Sequence, residues 1–422
     1  MSSPATSASA RRSLVGLLAS VVVVVALLTV WAGWALPVVI GAILVMVMGH
    51  EFGHFIVAKR AGMKVTDFFV GFGPVVWSIT RGETRYGVRA LWLGGYVKVP
   101  GMTWSDPIEP ELEARTYRAA SYPRKVLFAS AGSLMHVVMA LALAWASLAL
   151  VGLPSSSHIG VASFTHWDGY KNNAAQVAGF HVGDRIVSVD GHQITSANTL
   201  VNLVHHSVGH RLTIVVERDG KDLTLHATPV DGRTLKVNGV PYVTGSTPQG
   251  YLGIALVAQV VKSSWFAAVP RSFTLVGSML ASSVHAIVHV FSPGEFSSLF
   301  HQVATPTAAV SPSAQLNRPQ SIVGVVRIAV QSTQAGTGVM LAILMMVNIF
   351  VGVFNMMPML PLDGGYVAVA TYERLRSRRG RRYHADINRL VPVVYAFMTV
   401  LLVLFACTLY LDIVHPIANP FN

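Results

Sequence analysis

The sequence predicts a polytopic α-helical membrane protein of about five spans, interrupted by β-rich segments. Three observations predict it. Of 422 residues, 52% are hydrophobic and only 12% charged, against about a quarter charged in soluble domains, and mean hydropathy is +0.53. Five apolar runs, at about 13–36, 37–58, 126–152, 338–361 and 391–414, are each long enough to cross a ~30 Å hydrocarbon core at ~1.5 Å per residue. The lysines and arginines gather in blocks beside those runs, where the positive-inside rule puts them. A net charge of +12 arranged this way fits the lipid bilayer as partner and argues against nucleic acid.

The first two runs are broken only at Trp31–Pro37. Residues 1–36 therefore read as an additional N-terminal transmembrane segment and 37–58 as a second helix, with tryptophans at the interface between them. A cleaved signal peptide is the competing reading for 13–31, but its apolar core exceeds the usual ~7–15 residues. Arg11 and Arg12 precede the first span, and residues 59–125 carry eleven basic residues. The loop 373–390 carries seven more, Arg374, Arg376, Arg378, Arg379, Arg381, Arg382 and Arg389, before the last span at 391–415. The long segment 153–339 holds the remaining eleven at much lower density. With the dense blocks in the cytoplasm, the expected topology in the plasma membrane has the N-terminus inside, with 153–339 and the C-terminus outside.

Residues 264–291 are apolar enough to be a sixth span, but counting them would put the 373–390 loop outside. Pro270, Arg271, His285 and His289 also interrupt the stretch. The expectation for 250–337 is amphipathic helices on the outer membrane face, followed by an external linker at Ala304–Pro319. Cys407 is the single cysteine, so no intrachain disulfide is possible.

Two segments read as strands. Residues 68–99, within 59–125, show turns at Arg81-Gly82 and Gly94-Gly95. Residues 158–235 show β patterns at Arg185–Val189, Leu212–Glu217 and Leu223–His226, around Gly179-Phe180-His181-Val182-Gly183-Asp184.

The chemistry-bearing motif is His50-Glu51-Phe52-Gly53-His54. Histidines at i and i+4 of a helix share a face and can reach one ion, and the intervening glutamate lies close enough to take a proton from water. Zinc lowers the pKa of bound water towards ~7, which makes hydroxide available for attack on a peptide carbonyl. The bare pattern recurs by chance, and a satisfied polar cluster between helices is the bland alternative. The motif, however, closes an apolar span, where such residues are costly unless paired or functional. A catalytic zinc wants three protein ligands and one open position. Asp363, in Asn355-Met356-Met357-Pro358-Met359-Leu360-Pro361-Leu362-Asp363-Gly364-Gly365, belongs to the motif that closes the apolar run 338–361, within the 338–372 segment, on the same cytoplasmic side as His54, and is the candidate third ligand. An ordinary helix-terminal carboxylate is its alternative. His/His/Asp ligation favours zinc over other divalent ions.

These motifs resemble those of the site-2 protease family of intramembrane zinc metalloproteases. HEFGH and NMMPMLPLDGG match the family's HExxH and NxxPxxxLDG, in the right order and separation. FFVGFGPVVWS, RGETRYGVRALWLGGYVKVPG and ASAGSLMHVVMAL are similar to the family's hairpin and following span, and AGFHVGDRIVSVDG to the core of a PDZ domain. The resemblance covers about 37–415 and is closest to the PDZ-bearing bacterial group of RseP-like, actinobacterial-type members. It implies a membrane re-entrant β-hairpin at 68–99 whose strand edge pairs with unwound substrate, with Gly71 and Gly73 permitting close backbone approach. Asn355, by its place in the broken helix, either satisfies the backbone groups freed there or holds a substrate backbone. The resemblance also implies one extracytoplasmic PDZ domain at 158–235 acting as a size filter. The implied substrates are single-pass membrane proteins, above all pre-trimmed anti-sigma factors, with remnant signal peptides as a second class. Where the family commonly has Gly-Pro and a later Asn, this chain has Gly132-Ser133 and His136. His136 could reach the zinc region or be a satisfied intramembrane histidine. The segment before residue 37 is also additional to the family's minimal pattern.

Two other function classes compete. A transporter with intramembrane ionisable residues lacks internal repeats and does not explain HExxH with LDG. A catalytically silent homologue binding membrane proteins through its PDZ domain is at odds with the intact Glu51.

Overall fold

The computed structural model describes the chain except for residues 1–3, 103–106, 238, 244–245, 306–317, 378–382, 386, 418, 420 and 422. The chain forms two compact units, a helical one of Met1–Trp145 with Val269–Asn422 and a β-rich one of Ala146–Ala268.

The helical unit begins with α1 (Pro4–Ala32) and α2 (Ala35–Arg60), separated at Gly33, whose φ of +78° suits a helix stop. A hairpin follows, β1 (Asp67–Arg81) and β2 (Thr84–Lys98), turning at Gly82. Its pairing is more folded than two ribbons: Phe68 lies opposite both Tyr86 and Val97, and Val70 opposite both Val88 and Gly95. β2 therefore flanks the start of β1 on both sides and doubles back near the predicted Gly94-Gly95 turn. The Phe69 and Tyr96 rings stack at 5.7 Å, with the Arg89 guanidinium 4.9 Å above Phe69, a cation–π contact. Next comes α3 (Tyr122–Ala146).

The β-rich unit contains β3 (Leu153–Phe164), α4 (Ala174–Val177), β4 (Arg185–Val189), α5 (Ala197–His205), β5 (Leu212–Arg218), β6 (Lys221–Ala227) and β7 (Ile254–Val261). The strands run in the order β7-β3-β4-β5-β6, with His192–Gln193 added to β4. Ile159, Val161, Phe180, Ile186, Leu200, Ile214 and Val216 fill the core. Ser196 caps α5 by accepting the Thr199 N–H, while Leu200 and Val204, four apart, face inward. Asp184 is buried under a two-oxygen pairing with Arg218, at 2.6 and 2.7 Å. The unit is larger than the predicted 158–235. Residues 254–261, expected among amphipathic helices in 250–337, form a strand because Leu153↔Val261 and Ile254↔Phe164 pair along its length. That partner is about a hundred residues away, so no local pattern announces it.

The helical unit resumes with α6 (Trp265–Val290), α7 (Pro293–Ala304), α8 (Ile322–Gln331), α9 (Thr337–Asn355), α10 (Asp363–Arg376) and α11 (Val391–Val414). Most of the predicted linker, 306–317, and Arg378, Arg379, Arg381 and Arg382 lie outside the described residues. Among the described residues, six helices are long and apolar enough to cross a membrane: α1, α2, α3 with its continuation to Val151, α6, α9 and α11. α6 is one continuous helix despite Pro270, so length and composition admit it beside the five predicted spans. The segment 338–372 is two helices rather than one, because prolines and turn hydrogen bonds at 356–362 end α9 before α10 starts. Val39 and Met46 of α2, Ala329 of α8, and Met340 and Leu344 of α9 share one core cluster. Lys125 and Glu373 form a buried pair at 3.0 Å between α3 and α10. Arg318 and Asp412 form another at 2.9 Å at the end of α11, where the Ser321 N–H also donates to Asp412.

Candidate active site

Two elements of the helical unit bring the predicted metal-ligating side chains together. α2 carries His50 and His54 on one face, and α10 begins at Asp363. The His50 and His54 Nε2 atoms are 3.2 Å apart, and Asp363 Oδ2 lies 3.2 Å from the first and 3.3 Å from the second. Three atoms at these separations form one face of a tetrahedron about a point about 2.0 Å from each, the bond length of zinc to imidazole nitrogen or carboxylate oxygen.

The tautomers fit that geometry. His54 Nδ1 lies 2.8 Å from the Phe128 carbonyl oxygen. A carbonyl can only accept, so Nδ1 carries the proton in the neutral ring and the Nε2 lone pair points at the other two atoms. His50 Nδ1 is buried without a hydrogen-bond partner among the described residues. Asp363 Oδ2 is likewise buried with no conventional donor among the described residues, although both imidazoles face it. Lone pairs crowded at 3.2–3.3 Å repel unless a cation or a proton lies between them. The donor set therefore fits a metal ion.

Glycines make this convergence possible. A Cβ on Gly53 would come 2.5 Å from the Ala131 carbonyl oxygen, and one on Gly49 would meet the Met139 thioether, so α2 and α3 approach through small residues. A Cβ on Gly132 would lie 2.5 Å from both the His50 and His54 Nε2 atoms. On the Asp363 side, Gly364 and Gly365 pack on backbone atoms of Met356–Leu360, so the start of α10 tolerates no side chain there.

Glu51 turns towards the hairpin. A Cβ on Gly95 would lie 3.1 Å from Glu51 Cγ, and the Val97 backbone N–H faces the Glu51 carboxylate. The hairpin thus reaches the site through Gly95. Gly71, at φ +83°, makes its close approach to the Leu91 carbonyl of the hairpin itself, and Gly73, at φ +82°, lies near the Leu91 side chain. Asn355 is the last residue of α9, eight positions before Asp363. His136 is buried beside His50, ring centroids 5.2 Å apart, but the cluster of converging ligand atoms comprises only His50, His54 and Asp363 among the described residues. Sequence reasoning read Gly95 only as a turn residue and gave Gly132 no role at the histidines; the available signal was a glycine in each of two segments already marked by motif.

The sequence profile of Peptidase family M50 matches residues 38–401. The chain belongs to peptidase family M50. Zinc metalloprotease Rip1 of Mycobacterium tuberculosis is 31% identical to this M50 chain over 400 residues, 89% of the chain and 96% of the relative. Rip1 of Mycobacterium bovis is similar to the same extent. Rip1 of Mycolicibacterium smegmatis is 29% identical over 407 residues, covering 89% and 96%. With M50 membership and the His50–His54–Asp363 geometry together, the protein is a zinc metalloprotease, and its apolar helices make it a multi-pass membrane protein of the site-2 protease family.

Proposed function

We propose that this protein is an intramembrane zinc endopeptidase cutting transmembrane segments of single-pass membrane proteins, with His50, His54 and Asp363 as the zinc ligands and Glu51 as general base. The observation that carries the proposal is the three-atom cluster with 3.2–3.3 Å edges next to a glutamate on the intervening turn. Zinc held by His50, His54 and Asp363 would supply an acidified water and polarise a peptide carbonyl. Glu51 takes the proton of the attacking water and returns it to the leaving amide nitrogen. The Val97 N–H and Gly95 keep the carboxylate against the hairpin, so the base sits beside a strand. An unwound substrate segment pairing with that hairpin regains backbone hydrogen bonds where no water supplies them.

The substrate class follows from the same reading: anti-sigma-type proteins already trimmed outside, with remnant signal peptides second. The β-rich unit serves as one extracytoplasmic PDZ domain that excludes substrates with intact outer domains. The Lys/Arg distribution supports a cytoplasmic N-terminus. Glu51→Gln tests the central claim. The variant retains zinc and loses cleavage of a tagged single-pass reporter; cleavage at the wild-type rate would remove Glu51 from the mechanism.

A further inference from the structure

Ser133 and His136 stand one turn apart on α3, 7% and 1% exposed. Among the described residues, neither Ser133 Oγ nor His136 Nε2, both buried, has a hydrogen-bond partner. Native structures leave few such atoms, because an unmet buried polar group costs free energy. Both residues line one cleft of about 300 Å³ between α3, α6 and α9, whose other walls include Val137, Leu280, Ile349 and Val353. Gly352 leaves room for the imidazole, since a Cβ there would press 3.1 Å from His136 Cγ.

The hydrogen-bond chemistry of the ring is determined by its neighbour. The Asn348 amide lies 2.8 Å from the His136 carbonyl oxygen. That oxygen only accepts, so the atom facing it is Nδ2, and the atom 2.7 Å from His136 Nδ1 is Oδ1. Oδ1 also only accepts, so Nδ1 donates. In the neutral ring Nε2 is therefore a lone-pair acceptor, while the Ser133 hydroxyl is free to donate. One donor and one acceptor, stacked along a helix in an apolar cleft, match the C=O and N–H of a single residue in extended conformation, which point the same way from the chain. A lipid tail offers neither group.

We infer that Ser133 and His136 form a substrate subsite that grips one residue of the unwound segment, Ser133 donating to its carbonyl oxygen and His136 Nε2 accepting its N–H, with that residue's apolar side chain in the cleft. The inference rests on the proteolytic reading above. The His136 ring is 5.2 Å from that of His50, so the gripped residue lies next to the bond to be cut. His136 is a positioning residue here, not a zinc ligand.

The test uses the full chain in nanodiscs, in a Glu51→Gln background, binding a synthetic transmembrane peptide. Ser133→Ala removes the donor. His136→Asn is too short to place an acceptor at the Nε2 position, while its own amide N–H still donates to Asn348. Each weakens peptide binding about tenfold, the size of one good hydrogen bond, with zinc content unchanged; with Glu51 restored, KM rises tenfold and kcat holds. A peptide carrying one backbone ester in place of an amide N–H binds the parent about tenfold more weakly at one position, and His136→Asn erases that difference. Unchanged affinity in both variants, zinc loss in His136→Asn, or a fall in kcat at constant KM would each overturn the subsite. Cleavage that survives Glu51→Gln overturns the general-base reading instead, while the ester comparison still decides the subsite.

Discussion

Replacing Gly132 with alanine should disable the metal site by adding a single methyl group. The new Cβ would sit 2.5 Å from both the His50 and His54 Nε2 atoms, about 1 Å inside ordinary contact. α3 has little freedom to retreat alone, because α2 and α3 already meet backbone to backbone at Gly53 and Ala131. The imidazoles must therefore move by several tenths of an ångström, whereas a zinc site tolerates about 0.2 Å in its ligand distances. Displaced orientation of metal ligands lowers affinity about 10–100-fold, and a direct clash with two of them belongs at the upper end. A hundredfold loss is about 2.7 kcal/mol. Zinc competition against a chromophoric chelator, with circular dichroism to verify the helices, measures it. Gly277→Ala is the control, since among the described residues nothing lies within 4 Å of a Cβ added there. Zinc affinity within threefold of wild type in Gly132→Ala would refute the account of how α3 meets the histidines.

Three further outcomes are expected. Gly364→Ala places a Cβ against the Met356 and Met357 carbonyl oxygens and should destabilise the helical unit by about 1–3 kcal/mol, read as a lower Tm in detergent. Lys125→Met strands a buried Glu373 carboxylate and should cost about 3–5 kcal/mol, while Lys125→Met combined with Glu373→Leu returns near wild type; equal losses in the single and double variants would contradict this. In the β-rich unit, burial pushes the Asp184 pKa up, but the Arg218 and His181 N–H hydrogen bonds prevail and hold it below its ordinary 3.8. Its contribution is therefore present above about pH 3.8 and lost as pH falls through the depressed value. Asp184→Asn should weaken the unit by about 2 kcal/mol at pH 7, discounted because Arg218 keeps some contact with water, and hydrogen exchange should show the gap closing below pH 3.8.

Much of the site was legible because its signals are local. His50 and His54 are paired by helical spacing alone, and the proline-rich run before Asp363 announces a broken helix at the end of an apolar span. The complements of those residues were not legible. Gly132 matters because α3 crosses α2 at the histidines, and Gly95 because the hairpin folds back onto Glu51. Both are facts of packing between distant segments, and a glycine in sequence does not say what it is making room for. The same limit hid the β3–β7 pairing, and it hid Asn348, whose bonds to His136 cross more than two hundred residues. Gly71 and Gly73, at positive φ, lie against Leu91 of the facing strand, a neighbour about twenty residues on that their own segment does not announce.

The pairing of Leu153 with Val261 has an engineering consequence. The chain arrives at the β-rich unit and departs from it on neighbouring strands, about 4.8 Å apart, and the Ser263 N–H to Leu148 carbonyl bond clasps the two stems just before them. A short turn can bridge that gap, so the intervening hundred residues are a cassette. They can be removed, or exchanged for another domain whose termini lie side by side, with no need to re-route the helices on either flank.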